Sequence, residues 1–229
     1  IANGENAAGG LGITPDIADS LFDIGIDVLT TGNHVYKKRE IYDYIDNEPR
    51  LLKPANYPPN TPGRGCYIFS NKKTSFKEIA VVNICGRVFI DNLDCPFRAM
   101  DKIIDFVSCK TNIIIVDFHA EVTSEKVAMG WYLDGRVSAV FGTHTHVQTA
   151  DERVLPKNTA YITDVGMVGP RDSVIGIKKE IVIERFLNLM PQRFKVADKD
   201  NYINGVIVEI DTSNGNALSI ERINKKVYG

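Results

Sequence analysis

Histidine is scarce in this chain and tryptophan scarcer, four and one among 229 residues. Cysteine is equally sparse. Cys66, Cys85, Cys95 and Cys109 stand far apart with no CxxC pair, which argues against a thiolate zinc site and against a disulfide framework. Reduced cysteines in a cytoplasmic protein are the expectation. No long apolar run and no signal-peptide pattern is visible, so neither a membrane span nor an exported protein is predicted. Charge of neither sign dominates: 27 Lys and Arg face 29 Asp and Glu, a net of −2. That balance excludes the basic footprint of a duplex nucleic acid or anionic membrane binder, but leaves room for a nucleotide held at a local site. Repeats and low-complexity tracts are absent. What remains is 44% hydrophobic, enough to build the core of one domain over 1–229, with 49–100 as a possible small cap or insert.

The element pattern is that of an α/β protein. "ITPDIADSLFDIG" reads as a helix capped by Thr14, begun by Pro15 and ended by Gly25. "IDVLTT" (26–31) follows as a short buried strand, and "KKREIYDYID" as a second helix. Residues 49–62 hold five prolines and read as a surface loop. "GCYIFS" and "EIAVVNI" suggest a hairpin across "NKKTSFK", and "PFRAMDKIIDFVSC" has helical spacing. "NIIIVDF" (112–118) is a nearly continuous apolar run of strand length, the pattern of a strand covered on both faces. The helix "SEKVAMGWYLDG", the strands "VSAVFG" and "TAYITD" and the helix "KKEIVIERFLNLM" come next. "RFKVA", "NGVIVEID" and "ALSIERI" alternate as antiparallel strands. Such an order predicts a sandwich with sheets inside and helices outside.

Four polar clusters sit at or just past the ends of predicted strands: Asn3-Gly4-Glu5-Asn6, Gly32-Asn33-His34, Asp117 to Glu121, and Gly142-Thr143-His144-Thr145-His146. All four histidines lie in them. Loops at the C-terminal ends of strands are where α/β sheets build sites. In an extended segment His144 and His146 aim two imidazoles at one small volume, and neutral imidazole is a good ligand for first-row metals. Asn33 and Asn6 offer neutral oxygens, and Glu5 is a carboxylate able to bridge two cations. His34 is open to two roles, ligand or proton donor. Thr123 and Ser124 read best as helix caps, with Glu121 and Glu125 near the same helix start. "TDVGMVGP" (163–170) and Arg87 are weaker anion candidates, and their structural reading is favoured.

Together these clusters resemble the calcineurin-like metallophosphoesterase superfamily, whose marks are GNH after a strand, a lone later histidine and GHxH, here GTHTH. "NGENAAGG", "TTGNHVYKKREI", "KPANYP", the long segment from Asp117 to Asp151 and "AYITDVGMVGP" narrow this to the YmdB-type enzymes. The resemblance implies an αββα sandwich, central sheets flanked by helices, around two divalent metal ions, with iron or manganese the usual occupants. It implies that Glu5 bridges the metals, that Asn6 and His146 serve one and Asn33, His119 and His144 the other, and that His34 is the proton donor. The implied activity is hydrolysis of cyclic nucleotides, 2′,3′-cyclic ones best, to 3′-nucleotides, by a homo-oligomer acting on a small molecule. The family opens with a strand ending in Gly-Asp, which does not precede Ile1; a preceding strand and helix of about 30 residues are expected. Rival readings are a phosphomonoesterase or protein phosphatase with the same site, and a non-catalytic regulatory metal-binding protein. An amidohydrolase barrel fits poorly, because its HxH comes early in the chain.

Overall fold

The computed structural model describes residues 1–70 and 78–228. The connection of the expected hairpin, 71–77, lies outside the described residues. Strand β1 (Ala2–Asn3) leads through a turn-rich segment into helix α1 (Pro15–Asp23). Thr14 caps α1 by accepting from Ile17 N, and Pro15 starts it, as its sequence predicts. Strand β2 (Leu29–Thr30), helix α2 (Ile41–Asn47) and strand β3 (Leu51–Leu52) follow. Helix α2 is shorter than its sequence suggests. Lys37 to Glu40 form turns, and no side chain caps the helix start. Strand β3 falls inside the proline-rich stretch read as loop.

Strands β4 (Cys66–Phe69) and β5 (Ile79–Cys85) pair antiparallel, as expected of the hairpin. Helix α3 (Pro96–Val107), strand β6 (Ile113–His119), helix α4 (Thr123–Leu133) and strand β7 (Ala139–Thr143) continue the alternation of helix and strand. Then come β8 (Arg153–Val154), β9 (Ala160–Ile162), β10 (Gly169–Pro170), α5 (Lys179–Asn188), β11 (Asn201–Ile210) and β12 (Ala217–Lys226). The expected "RFKVA" strand is reduced to a single bridge between Ile177 and Val196.

Three sheets result. The largest runs β4-β5-β6-β7-β9-β8, with β5, β6, β7 and β9 parallel and β4 and β8 antiparallel at its edges. A small parallel sheet runs β1-β2-β3, and an antiparallel one β10-β11-β12. Alternation along the strands sorts the core into layers. One face of the large sheet, Val82, Ile84, Val116 and Phe118, packs on Met100 and Ile104 of α3 and Met129 and Leu133 of α4. The other face meets the remaining sheets: Ile115 and Ala139 against Val208 and Ile220, and Val81 against Val28 and Leu52. Helices α1 and α2 cover the far side of the small sheet through Ala18, Phe22, Ile41 and Ile45 around Leu29 and Leu51. The order helix, sheet, sheet, helix is the sandwich expected from the sequence. Each fully buried Ile, Leu, Val or Phe contributes about 1.5–3 kcal/mol to it. No helix among the described residues is long and apolar enough to cross a membrane.

Candidate metal centre

Every strand that carries a predicted site residue ends at one rim. β1 delivers Asn3, Glu5 and Asn6; β2 delivers Gly32, Asn33 and His34; β6 ends on His119; β7 is followed by His144 and His146. Parallel register brings Asn3 beside Thr30 and His119 beside Thr143. Residues over a hundred positions apart therefore share one small volume.

Its centre is His119 Nε2. Around it lie Glu5 Oε2 at 2.8 Å, His144 Nδ1 at 3.0 Å and Asn33 Oδ1 at 3.1 Å. The rings of His119 and His144 meet edge to face, 4.7 Å between centroids. Gly32 makes the closeness possible: a Cβ there would sit 2.2 Å from His119 Nε2 and 2.4 Å from Glu5 Oε1. Beside this group lies a second. His34 Nδ1 donates to Asn6 Oδ1 at 3.0 Å, and Asn6 Nδ2 lies 3.2 Å from His146 Nε2. Glu5 joins the two, because its Oε1 accepts from His34 N at 2.7 Å.

The protons on three of the four rings can be placed. Thr143 gives its hydroxyl proton to Asp117 Oδ1 at 2.7 Å, so it accepts from His119 Nδ1 at 2.9 Å. His144 Nε2 donates to Glu121 Oε2 at 2.9 Å. His146 Nδ1 donates to Ile175 O at 3.1 Å. When neutral, each ring thus turns a lone pair, not an N–H, toward the cluster. That is how metal-binding imidazoles are held, with the outer nitrogen tied to an acceptor. Four electron-pair donors, from a carboxylate, an amide and two imidazoles, converge where a cation removes their repulsion. Glu5, His119 and His144 each bring a ligand atom within 4.8 Å of the others. This nitrogen and oxygen set suits first-row divalent metals, so the residues present fit the implied group.

Without a cation, a protonated ring supplies the positive charge in its place: burial raises the pKa of Glu5, but the charge and hydrogen bond that a protonated His119 gives it and the N–H of His34 more than offset it, and the pKa falls to about 2. Burial, then the neighbouring His119, lower the pKa of His144 to about 4 and keep it neutral, the form that binds metal.

The chain matches the family described as YmdB-like protein over residues 1–223. It belongs to that family. This YmdB-like chain is 52% identical over 223 residues to the 2′,3′-cyclic-nucleotide 2′-phosphodiesterase of Bacillus subtilis, covering 97% of this chain and 83% of that protein. Two solved structures share the fold. A hypothetical protein from Thermus thermophilus superposes with a TM-score of 0.90 at 39% identity, covering 98% of this chain and 86% of that one. A novel phosphatase from Mycoplasma pneumoniae does so at 0.89 and 34%, covering 98% and 80%.

Two expectations need correction. His144 and His146 are not on an extended segment. Their φ values are 96° and 66°, left-handed, because β7 stops at Thr143 and the chain turns sharply. The two rings consequently face the two neighbouring groups separately. Thr123 and Ser124 do not cap α4, for no side-chain cap bond forms there. Glu125 instead accepts from Arg87 N and Val88 N. Residues 163–170 agree with their favoured structural reading, since Val165 N, Gly166 N and Met167 N donate to Gly142 O, Asp164 Oδ1 and His146 O. Arg87 is exposed and forms no ion pair among the described residues.

The roles of the supporting residues were not foreseen. Asp117 is fully buried and accepts from Asn3 at 3.0 Å, Thr30 at 2.5 Å and Thr143. It thereby ties β1 and β2 to β6 and β7. Burial raises its pKa, opposed by His119 and these three hydrogen bonds. Lys126 and Asp164, both 1% exposed, form a buried pair at 2.7 Å. A charged residue inside the apolar run 112–118 was the available signal for Asp117.

Proposed function

We propose that this chain is a metal-dependent phosphodiesterase that hydrolyses cyclic nucleotides, 2′,3′-cyclic ones best, to 3′-nucleotides. The observation that carries it is the convergence of Glu5, Asn33 and His144 on His119 Nε2, with the protons of both rings tied away from the cluster. The 52% identity to a 2′,3′-cyclic-nucleotide 2′-phosphodiesterase supports the substrate.

In this reading Glu5, Asn33, His119 and His144 would hold one divalent ion, and Glu5, Asn6 and His146 a second, iron or manganese. Such ions, when bound, supply positive charge beside the phosphoryl oxygens and acidify water. His34 protonates the leaving ribose oxygen. Its Nδ1 is committed to Asn6 Oδ1, which leaves Nε2 for the substrate. Burial lowers the pKa of His34, so its protonated ring gives up a proton more readily. The protein is read as cytoplasmic and as a homo-oligomer; exposed Phe186, Leu187 and Leu189 on and after α5 support an oligomer.

The test is His34→Ala. A fall of about 10²–10⁴ in the rate on 2′,3′-cyclic AMP is expected, with metal content by elemental analysis unchanged. Parallel loss of metal would make His34 a ligand. Turnover of p-nitrophenyl phosphate but not of bis-p-nitrophenyl phosphate or the cyclic nucleotide would replace the diesterase by a monoesterase.

A further inference from the structure

In the reading above the cluster takes the phosphate of a nucleotide and gives its base no place. Strand β5 ends at Cys85, opposite His119 in parallel register, and Gly86 N donates to His119 O at 2.9 Å. The loop 86–94 therefore springs from the backbone of a cluster residue. It is braced at several points. Buried Asn56 donates to Cys85 O at 2.8 Å and to Asp94 O at 2.9 Å, and accepts from Cys85 N at 3.0 Å, joining the two ends of the loop. Glu125 holds the ascending arm through Arg87 N at 3.2 Å and Val88 N at 3.4 Å. Gly86 lets that carboxylate approach, for a Cβ there would lie 2.5 Å from Glu125 Oε2.

On this braced loop Phe89 is 88% exposed, and its φ is 61°. A bulky residue in the left-handed region is sterically unfavourable, and a bare phenyl ring in water is unfavourable too. Among the described residues the ring has no aromatic or cationic partner. Unfavourable backbone held in place by its surroundings is characteristic of functional positions.

We propose that Phe89 is the platform on which the nucleobase of the substrate stacks. This rests on the cyclic-nucleotide reading above and adds to it a specificity-determining residue. Stacking on a phenyl face is tolerant of base identity, so the site selects nucleosides over other diesters without selecting among bases.

The experiment measures kcat and KM of the metal-loaded full chain on 2′,3′-cyclic AMP and on methyl ribofuranoside 2,3-cyclic phosphate, which lacks the base. Parent, Phe89→Ala and Phe89→Trp are compared. In Phe89→Ala, KM for the nucleotide should rise about 5- to 150-fold, the equivalent of a base–aromatic stack of about 1–3 kcal/mol at 1.36 kcal/mol per decade. Its kcat, metal content and both constants for the baseless substrate should stay near parental. Phe89→Trp should retain the parental KM. Equal loss on both substrates would make the residue a structural support of the loop, and no loss on either would remove the platform. A parent that turns over the baseless compound with the same KM as the nucleotide would also overturn it. A parent inert toward both overturns the proposed function, and the platform with it.

Discussion

Replacing Lys126 by Met tests whether a buried ion pair holds the histidine turn. Lys126 lies on α4, and its Nζ is 2.7 Å from Asp164 Oδ2 and 3.2 Å from Thr145 Oγ1. The same Asp164 oxygen accepts from Thr145 N at 3.2 Å and Thr145 Oγ1 at 2.7 Å, while Oδ1 accepts from Gly166 N at 2.8 Å. Thr145 sits between two left-handed histidines. Each such residue stores about 1–3 kcal/mol, so the turn persists only because something fixes its middle. Met fills the volume of the lysine stem but leaves the Asp164 carboxylate buried without its counter-ion, at a cost of about 3–5 kcal/mol. In a chain of this size each kcal/mol moves the thermal midpoint by about 2–4 °C, so a fall of about 6–20 °C is expected. The assay is thermal unfolding by circular dichroism in EDTA, which keeps metal binding out of the stability. The double variant Lys126→Met, Asp164→Asn removes both charges yet keeps an oxygen for Thr145, and should regain most of the midpoint and bind manganese near parental strength. Lys126→Met with Asp164→Leu should regain the midpoint but bind manganese about 10–100-fold more weakly. A single Lys126→Met variant melting within about 2 °C of the parent would refute the reasoning.

Two further outcomes follow from the geometry of the centre. Gly32→Ala should lower metal affinity at least about tenfold, since its Cβ would fall 2.2 Å from His119 Nε2; full occupancy by elemental analysis at parental metal concentration would show that the cluster yields freely. In the metal-stripped chain, urea unfolding should show stability declining as pH falls from about 6.5 to about 4. The unfolded His144 takes up a proton in that window while the folded one, held near 4 by burial and by His119, refuses it. The contribution is full above 6.5, amounts to about 3 kcal/mol, and should vanish in His144→Gln. A second decline belongs to Glu5. Its stability is present above its ordinary value and is lost as pH falls toward about 2.

How far the sequence discloses this molecule depends on whether a feature is local. Thr14 and Pro15 announce α1 because a cap and a first-turn proline act on their own helix. The run at 112–118 announces β6, every residue of which is buried. Other strands of two residues, β3, β8 and β10, have no period to detect. They exist because a neighbour supplies their hydrogen bonds, so β3 appears inside a proline-rich stretch. The same division runs through the site. Candidate ligands are legible because histidine is scarce and confined to strand ends, and because the side-chain type carries the chemistry. What orients them is pairwise and distant: Asn3 reaches Asp117 across 114 positions, Lys126 reaches Asp164 across 38, and Glu121 holds His144 across a strand and a helix. A sequence shows each of these as one charged or polar residue of no special kind. Only their meeting shows that Asp117, Thr143 and Glu121 fix which nitrogen of each imidazole carries the proton. On that choice depends whether the cluster presents lone pairs to a cation or hydrogen atoms that would exclude it.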